Sequence, residues 1–127
     1  MEFSTIQKDK KLASYLKKSK CKLLISWHDF KKTPNESQLK SRFNKMRKFS
    51  NVVKIVTVAK NVSDASRLLS LYSIKSKNKT VAFCMGDQGK FSRILCLHLG
   101  SPFTYVSLRK AIAPGQFSVD EIKSLQY

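Results

Sequence analysis

Lys54, His28 and Arg93 are the side chains whose types and surroundings could carry carbonyl chemistry. Lys54 interrupts Val52-Val53-Lys54-Ile55-Val56-Thr57-Val58, the most β-branched run of the chain. An ammonium group in such a run is costly unless it reaches the surface or has a task. One reading is an edge-strand lysine that blunts aggregation. The other is an amine whose pKa falls by desolvation, leaving it nucleophilic toward a ketone or aldehyde. His28 closes the apolar run Lys22-Leu23-Leu24-Ile25-Ser26-Trp27-His28, and the C-terminal ends of strands are where parallel α/β proteins place proton-transfer groups. Arg93 follows the loop Gly86-Asp87-Gln88-Gly89 and is either a solvated helix residue or a clamp for a carboxylate. Taken together, the three supply an amine, a proton shuttle and an anion site.

The elements that would position them alternate in type. Leu12, Tyr15 and Leu16 recur at helical spacing among lysines, and the strand ending at His28 follows. Thr33-Pro34-Asn35-Glu36 reads as a capping box with Thr33 as cap, opening a helix that buries Leu39, Phe43 and Met46. After the strand containing Lys54, Asn61 precedes a helix with the stripe Val62, Ala65, Leu68, Leu69 and Tyr72. A third strand, Thr80–Met85, leads through the glycine-bounded loop into a helix carrying Phe91, Ile94, Leu95 and Leu97 and stopped at Gly100. Phe103-Thr104-Tyr105-Val106 reads as a fourth strand, and Ser118 with Glu121 as a second capping box before Val119, Ile122 and Leu125. Apolar strands alternating with helices imply an α/β fold with a parallel sheet covered by helices. No linker or composition break divides residues 1–127, so a single domain is expected.

The sequence has 127 residues, 25 of them Lys or Arg and 8 Asp or Glu, for a net charge of +17. A hydrophobic fraction of 42% is enough for a core and excludes wholesale disorder. No apolar run approaches the roughly 18 residues of a membrane span, and Met1-Glu2-Phe3-Ser4 leads into lysines rather than a secretory h-region. A cytoplasmic protein with Cys21, Cys84 and Cys96 as buried reduced thiols is therefore expected. The charge also raises a binding-module reading. Because the lysines are spread over most segments and the aromatic residues fall mainly in core positions, a solvated basic surface is expected, without nucleic acid or membrane as partner.

Five segments in register resemble the type I 3-dehydroquinate dehydratases of the shikimate pathway. They are Ser26-Trp27-His28-Asp29-Phe30 with Thr33-Pro34, Val53-Lys54-Ile55, Met85 through Arg93, Gly100 through Tyr105, and Ala113-Pro114-Gly115-Gln116. The resemblance implies that Lys54 forms an imine with the C3 ketone of 3-dehydroquinate while His28 shuttles protons. It further implies that Arg93 holds the substrate carboxylate, Gln116 closes over the substrate and Met85 lines the pocket, with no cofactor. It implies half of an eight-stranded (β/α)8 TIM barrel, strands five to eight with their helices, with Met1 through Thr5 as the tail of strand four. The family's Glu-x-Arg motif, a further substrate arginine and the glutamate that orients the histidine are all expected outside this chain. Ile112 stands where some members carry a serine. A half barrel exposes two strand edges, so self-association or a separate N-terminal half is expected, with an inactive remnant as the alternative.

Overall fold

The computed structural model describes residues 1–109 and 111–125. Its centre is a parallel sheet of three strands in the order β1 (Leu24–His28), β2 (Val52–Val58) and β3 (Lys79–Met85). Two crossovers join them, α3 (Glu36–Met46) between β1 and β2, and α4 (Val62–Leu69) with the 3-10 turn Ser70–Ser73 between β2 and β3. The helices α1 (Phe3–Lys8) and α2 (Lys10–Lys18) precede the sheet; α5 (Ser92–His98) and α6 (Val119–Ser124) follow it. Among the described residues no helix is long and apolar enough to cross a membrane.

Strand register sorts the side chains into two faces. Ser26 pairs with Lys54 and Lys54 with Val81, while His28 pairs with Val56 and Val56 with Phe83. Alternation then puts Ser26, His28, Lys54, Val56, Val81, Phe83 and Met85 on one face. The opposite face, Ile25, Val53, Ile55, Ala82 and Cys84, packs on Leu39, Phe43 and Met46 of α3, Ala65 and Leu68 of α4, and Phe3 and Ile6 of α1. Lys54 thus stands on the central strand, which removes the edge-strand explanation for it.

Several local expectations are corrected. Residues 103–106 form no strand in the sheet; the only ladder contact nearby is a bridge between Ser107 and Ser118. Pro102 removes a donor at the start of that segment, and Phe103 and Tyr105 instead meet each other at 5.7 Å, with Tyr105 also 6.0 Å from Phe83. The cap of α3 is Asn35, paired reciprocally with Gln38, rather than Thr33. Thr33 is buried because its hydroxyl donates to the Val58 carbonyl at 2.9 Å and lies 2.7 Å from the Thr57 hydroxyl, a better use than a helix end that Asn35 can cap. In α5 the buried residues are Ser92, Arg93 and Cys96, leaving Phe91 and Leu95 exposed. Val62 and Tyr15 are exposed as well. Cys84 and Cys96 are buried free thiols, whereas Cys21 is exposed, since the chain leaves α2 before β1 begins. The Ser118–Glu121 capping box and the Gly100 stop, at φ +102°, form as the sequence indicates.

The turn after β3 demands glycine at position 89, where a Cβ would sit 2.4 Å from the Cys84 Cβ and 3.1 Å from that of Ala59. Gly89→Ala is expected to cost about 1–3 kcal/mol through overpacking. Urea unfolding followed by circular dichroism checks this; an unchanged midpoint would contradict the tight packing of that turn.

Candidate active site

The face of the sheet opposite α1 and α3 gathers the reactive groups, with α5 and Tyr105 packed against part of it. Strand spacing and rise separate the backbones of His28 and Lys54 by roughly 8 Å, on neighbouring strands and the same side. Burial pushes the Lys54 ammonium below the usual lysine pKa; the nearby Glu2 carboxylate acts against this and the Arg93 guanidinium acts with it. The Lys54 Nζ lies 4.2 Å from the centre of the Tyr105 ring, so an aromatic face occupies the space above the amine.

Glu2 is the residue that reading the sequence missed. Met1 and Glu2 continue the sheet beyond β1: the Ser26 amide donates to the Met1 carbonyl at 2.9 Å, and Glu2 bridges Ser26 in parallel. The expected strand tail is therefore Met1–Glu2 alone, since α1 begins at Phe3. The Glu2 Oε2 accepts from the Ser26 hydroxyl at 2.9 Å and lies 3.0 Å from the His28 Nδ1. A carboxylate on Nδ1 fixes that nitrogen as the donor and leaves Nε2 free to take or give a proton. A carboxylate beside His28 is thus present within the chain. No spacing rule flags a lone glutamate before a helix, although Ser26 and His28 could have been paired by period-two alternation.

Arg93 is 2% exposed, and its guanidinium lies 4.6 Å from the centre of the Phe83 ring. One of its nitrogens donates to the Pro114 carbonyl at 3.4 Å, while its buried Nε has no partner. Burial lowers its pKa, the direction expected of a cation held among apolar neighbours. It has no carboxylate partner among the described ion pairs. Met85 is buried at the end of β3 on the same face. Gln116 is occupied within its own loop, its Oε1 accepting from the Ile112 and Ala113 amides at 2.9 and 3.3 Å. That loop docks on the turn after β3, where the Gly86 amide donates to Pro114 at 3.3 Å. Gly115, at φ +71°, approaches so closely that a Cβ would stand 2.6 Å from the Gly86 oxygen.

One face of the sheet thus holds an amine on its central strand, a histidine beside a carboxylate and a buried guanidinium. The profile of the family described as type I 3-dehydroquinase matches residues 1–127. The chain belongs to the type I 3-dehydroquinase family. It is similar to the 3-dehydroquinate dehydratase of Syntrophobacter fumaroxidans, with 42% identity over 113 residues, 84% of this chain and 48% of that protein. A Pyrobaculum aerophilum 3-dehydroquinate dehydratase is 46% identical over 103 residues, covering 81% of this chain and 34% of that protein. Among solved structures, the 3-dehydroquinate dehydratase from Aquifex aeolicus superposes with a TM-score of 0.81 at 32% identity, over 98% of this chain and 57% of that one. The type I 3-dehydroquinate dehydratase from Clostridium difficile gives 0.83 at 26% identity, over 98% and 52%. The chain spans about half the length of the Syntrophobacter fumaroxidans and Clostridium difficile proteins, and about a third of that from Pyrobaculum aerophilum.

The opposed influences on Lys54 give a signed prediction. Glu2→Gln removes the charge that favours the ammonium and shifts the Lys54 titration to lower pH; Arg93→Met shifts it to higher pH. Competitive acetylation of Lys54 across pH, read by mass spectrometry, checks both directions. Identical profiles in the two variants would show that neither charge reaches the amine.

Proposed function

We propose that the chain carries the imine-forming half of a 3-dehydroquinate dehydratase, a lyase of the shikimate pathway. In this reading β1, β2 and β3 are strands five, six and seven of an eight-stranded βα barrel, and the face bearing Lys54 is the barrel interior. The observation that carries it is the placement of Lys54 and His28 on the same face of adjacent strands, with the unpartnered Arg93 Nε nearby.

The chemistry follows from the groups. The neutral Lys54 amine adds to the C3 ketone and expels water, giving an iminium that withdraws electrons from C2. The free His28 Nε2 removes a C2 proton, leaving an enamine, and the resulting imidazolium is stabilised by Glu2. As the enamine electrons return, the C1 hydroxyl departs with a proton from His28. Water then hydrolyses the iminium, freeing Lys54 and 3-dehydroshikimate. The net change is loss of one water, with no oxidant or reductant required. Arg93 pairs with the substrate carboxylate, and the Tyr105 ring withdraws from above Lys54 as substrate enters. Gln116 closes over the substrate with its loop, and Met85 forms part of the wall.

The remaining substrate contacts of the family, the Glu-x-Arg motif and a second arginine, come from the rest of the barrel in this reading. The isolated chain is therefore better at trapping substrate than at turning it over, and an N-terminal half that brings those groups restores turnover.

Borohydride reduction in the presence of 3-dehydroquinate is expected to leave a covalent adduct on Lys54, absent from Lys54→Ala. Arg93→Ala lowers the trapping efficiency by about ten- to a hundredfold, the worth of one or two charge-assisted hydrogen bonds. In His28→Ala the adduct is one water heavier than in the unaltered protein, because the imine forms but elimination stalls. Peptide mapping that places the adduct on another lysine would overturn the assignment.

A further inference from the structure

A second site of a different kind lies at the other end of the sheet, where the strands begin. A cleft of about 880 Å³ is lined there by Lys17, Lys22, Arg47, Lys48, Lys77 and Lys79, and by no Asp or Glu. Leu23 precedes β1, Val52 opens β2 and Lys79 opens β3, so this cleft is separated from His28 and Met85 by the length of the strands. None of the four ion pairs among the described residues involves any of these cations.

The cleft is held by its own framework. The Asn78 side chain donates to the Ser50 carbonyl at 2.7 Å and to the Arg47 carbonyl at 3.4 Å, and the Lys79 amide donates to Asn51 at 2.7 Å. The Ser50 hydroxyl binds the Leu23 carbonyl, which fastens the third wall. Lys17 lies over the Phe49 ring at 5.3 Å and Arg47 over Phe43 at 5.9 Å, contacts that orient both cations without neutralising them. Among the described residues lining the cleft, opposing charge comes from the C-terminal ends of α2 and α3, each equivalent to about half a negative charge. Six full positive charges outweigh these two partial ones. The cations are gathered on a scale comparable to the Debye length, about 8 Å at physiological salt, so their mutual repulsion is incompletely screened.

We propose that this cleft binds a compact polyphosphate anion, of the size and charge of a linear triphosphate. Such a chain carries roughly one negative charge per phosphate and a further partial one at its ends, a closer match to six cations than any dicarboxylate. Its oxygens suit ammonium and guanidinium donors. Nucleic acid is the poorer fit, because the one aromatic lining residue, Phe49, is partly buried beneath Lys17 and offers no free face for stacking a base.

Cys21 reports occupancy directly: it is an exposed thiol on the cleft wall, whereas Cys84 and Cys96 are buried. Sodium tripolyphosphate is expected to bind in isothermal titration calorimetry, weaken with added salt, and slow alkylation of Cys21 by iodoacetamide over the same concentration range. The double variant Lys48→Ala with Lys77→Ala is expected to lose affinity by about tenfold or more, the cost of a lost charge-assisted contact. Lys31→Ala with Lys32→Ala removes the same charge at exposed sites outside the cleft and is expected to leave affinity within about twofold. Equal losses in the two double variants would reduce the effect to overall charge and overturn the proposal. So would binding without Cys21 protection, orthophosphate binding as tightly as tripolyphosphate, or an oligothymidylate of matched charge displacing it.

Discussion

The pairing of Ser26 with Lys54 in the parallel ladder is the constraint on which the rest of the molecule depends. A slip of one residue would exchange Lys54 for Val53 or Ile55, bury the ammonium among the helices and turn apolar side chains toward the face that holds Lys54 and His28. The helix side of the sheet holds the register. Ile25, Val53 and Ile55 are fully buried there, and none could be exchanged for a lysine without a severe desolvation penalty. Between the helices and the strand ends, the Thr33, Thr57 and Cys84 side chains form a polar chain that ties the segment after β1 to both other strands. That chain holds the ends from which His28 and Met85 project.

Electrostatics on the catalytic face follow from how little negative charge the protein has. Eight acidic residues serve 25 basic ones, and several of the eight are engaged elsewhere: Asp9 and Asp64 at helix starts, Glu36 with Lys40, and Glu121 with Lys90. Glu2 is the carboxylate that reaches Lys54, and it is shared with His28 and Ser26. The amine is therefore biased toward its neutral form by burial and by Arg93, and the imidazole gains the one available orienting acid. The same shortage leaves the cations at the base of the sheet without partners.

The strand and helix alternation through β3 and the central apolar runs could be read from residue type and period, because burial and side-chain alternation act locally; the same alternation puts Lys54 and His28 on one face. What escaped notice depended on distant contacts. Glu2 gains its role from a bridge to Ser26, 24 residues away. Thr33 has the composition of a cap but is drawn inward by Thr57 and Val58, and Asn35, two positions on, takes the helix end. Residues 103–106 carry strand-forming side chains, yet the aromatic contacts with Phe83 and Lys54 hold the segment across the face instead of along the edge of β3. Arg93 sat in a helix whose apolar stripe was placed on Phe91 and Leu95; the buried side is that of Ser92, Arg93 and Cys96.

At Gly86 and Gly115 two loops meet backbone to backbone, with the Gly86 amide donating to Pro114. The first loop leads to Arg93, whose guanidinium also reaches the Pro114 carbonyl on the second. Separating the loops would release that carbonyl and free a donor of the guanidinium in a single motion. In the proposed reading, a substrate carboxylate that takes the freed donor compensates for the lost bond, so binding and loop separation are coupled through one carbonyl.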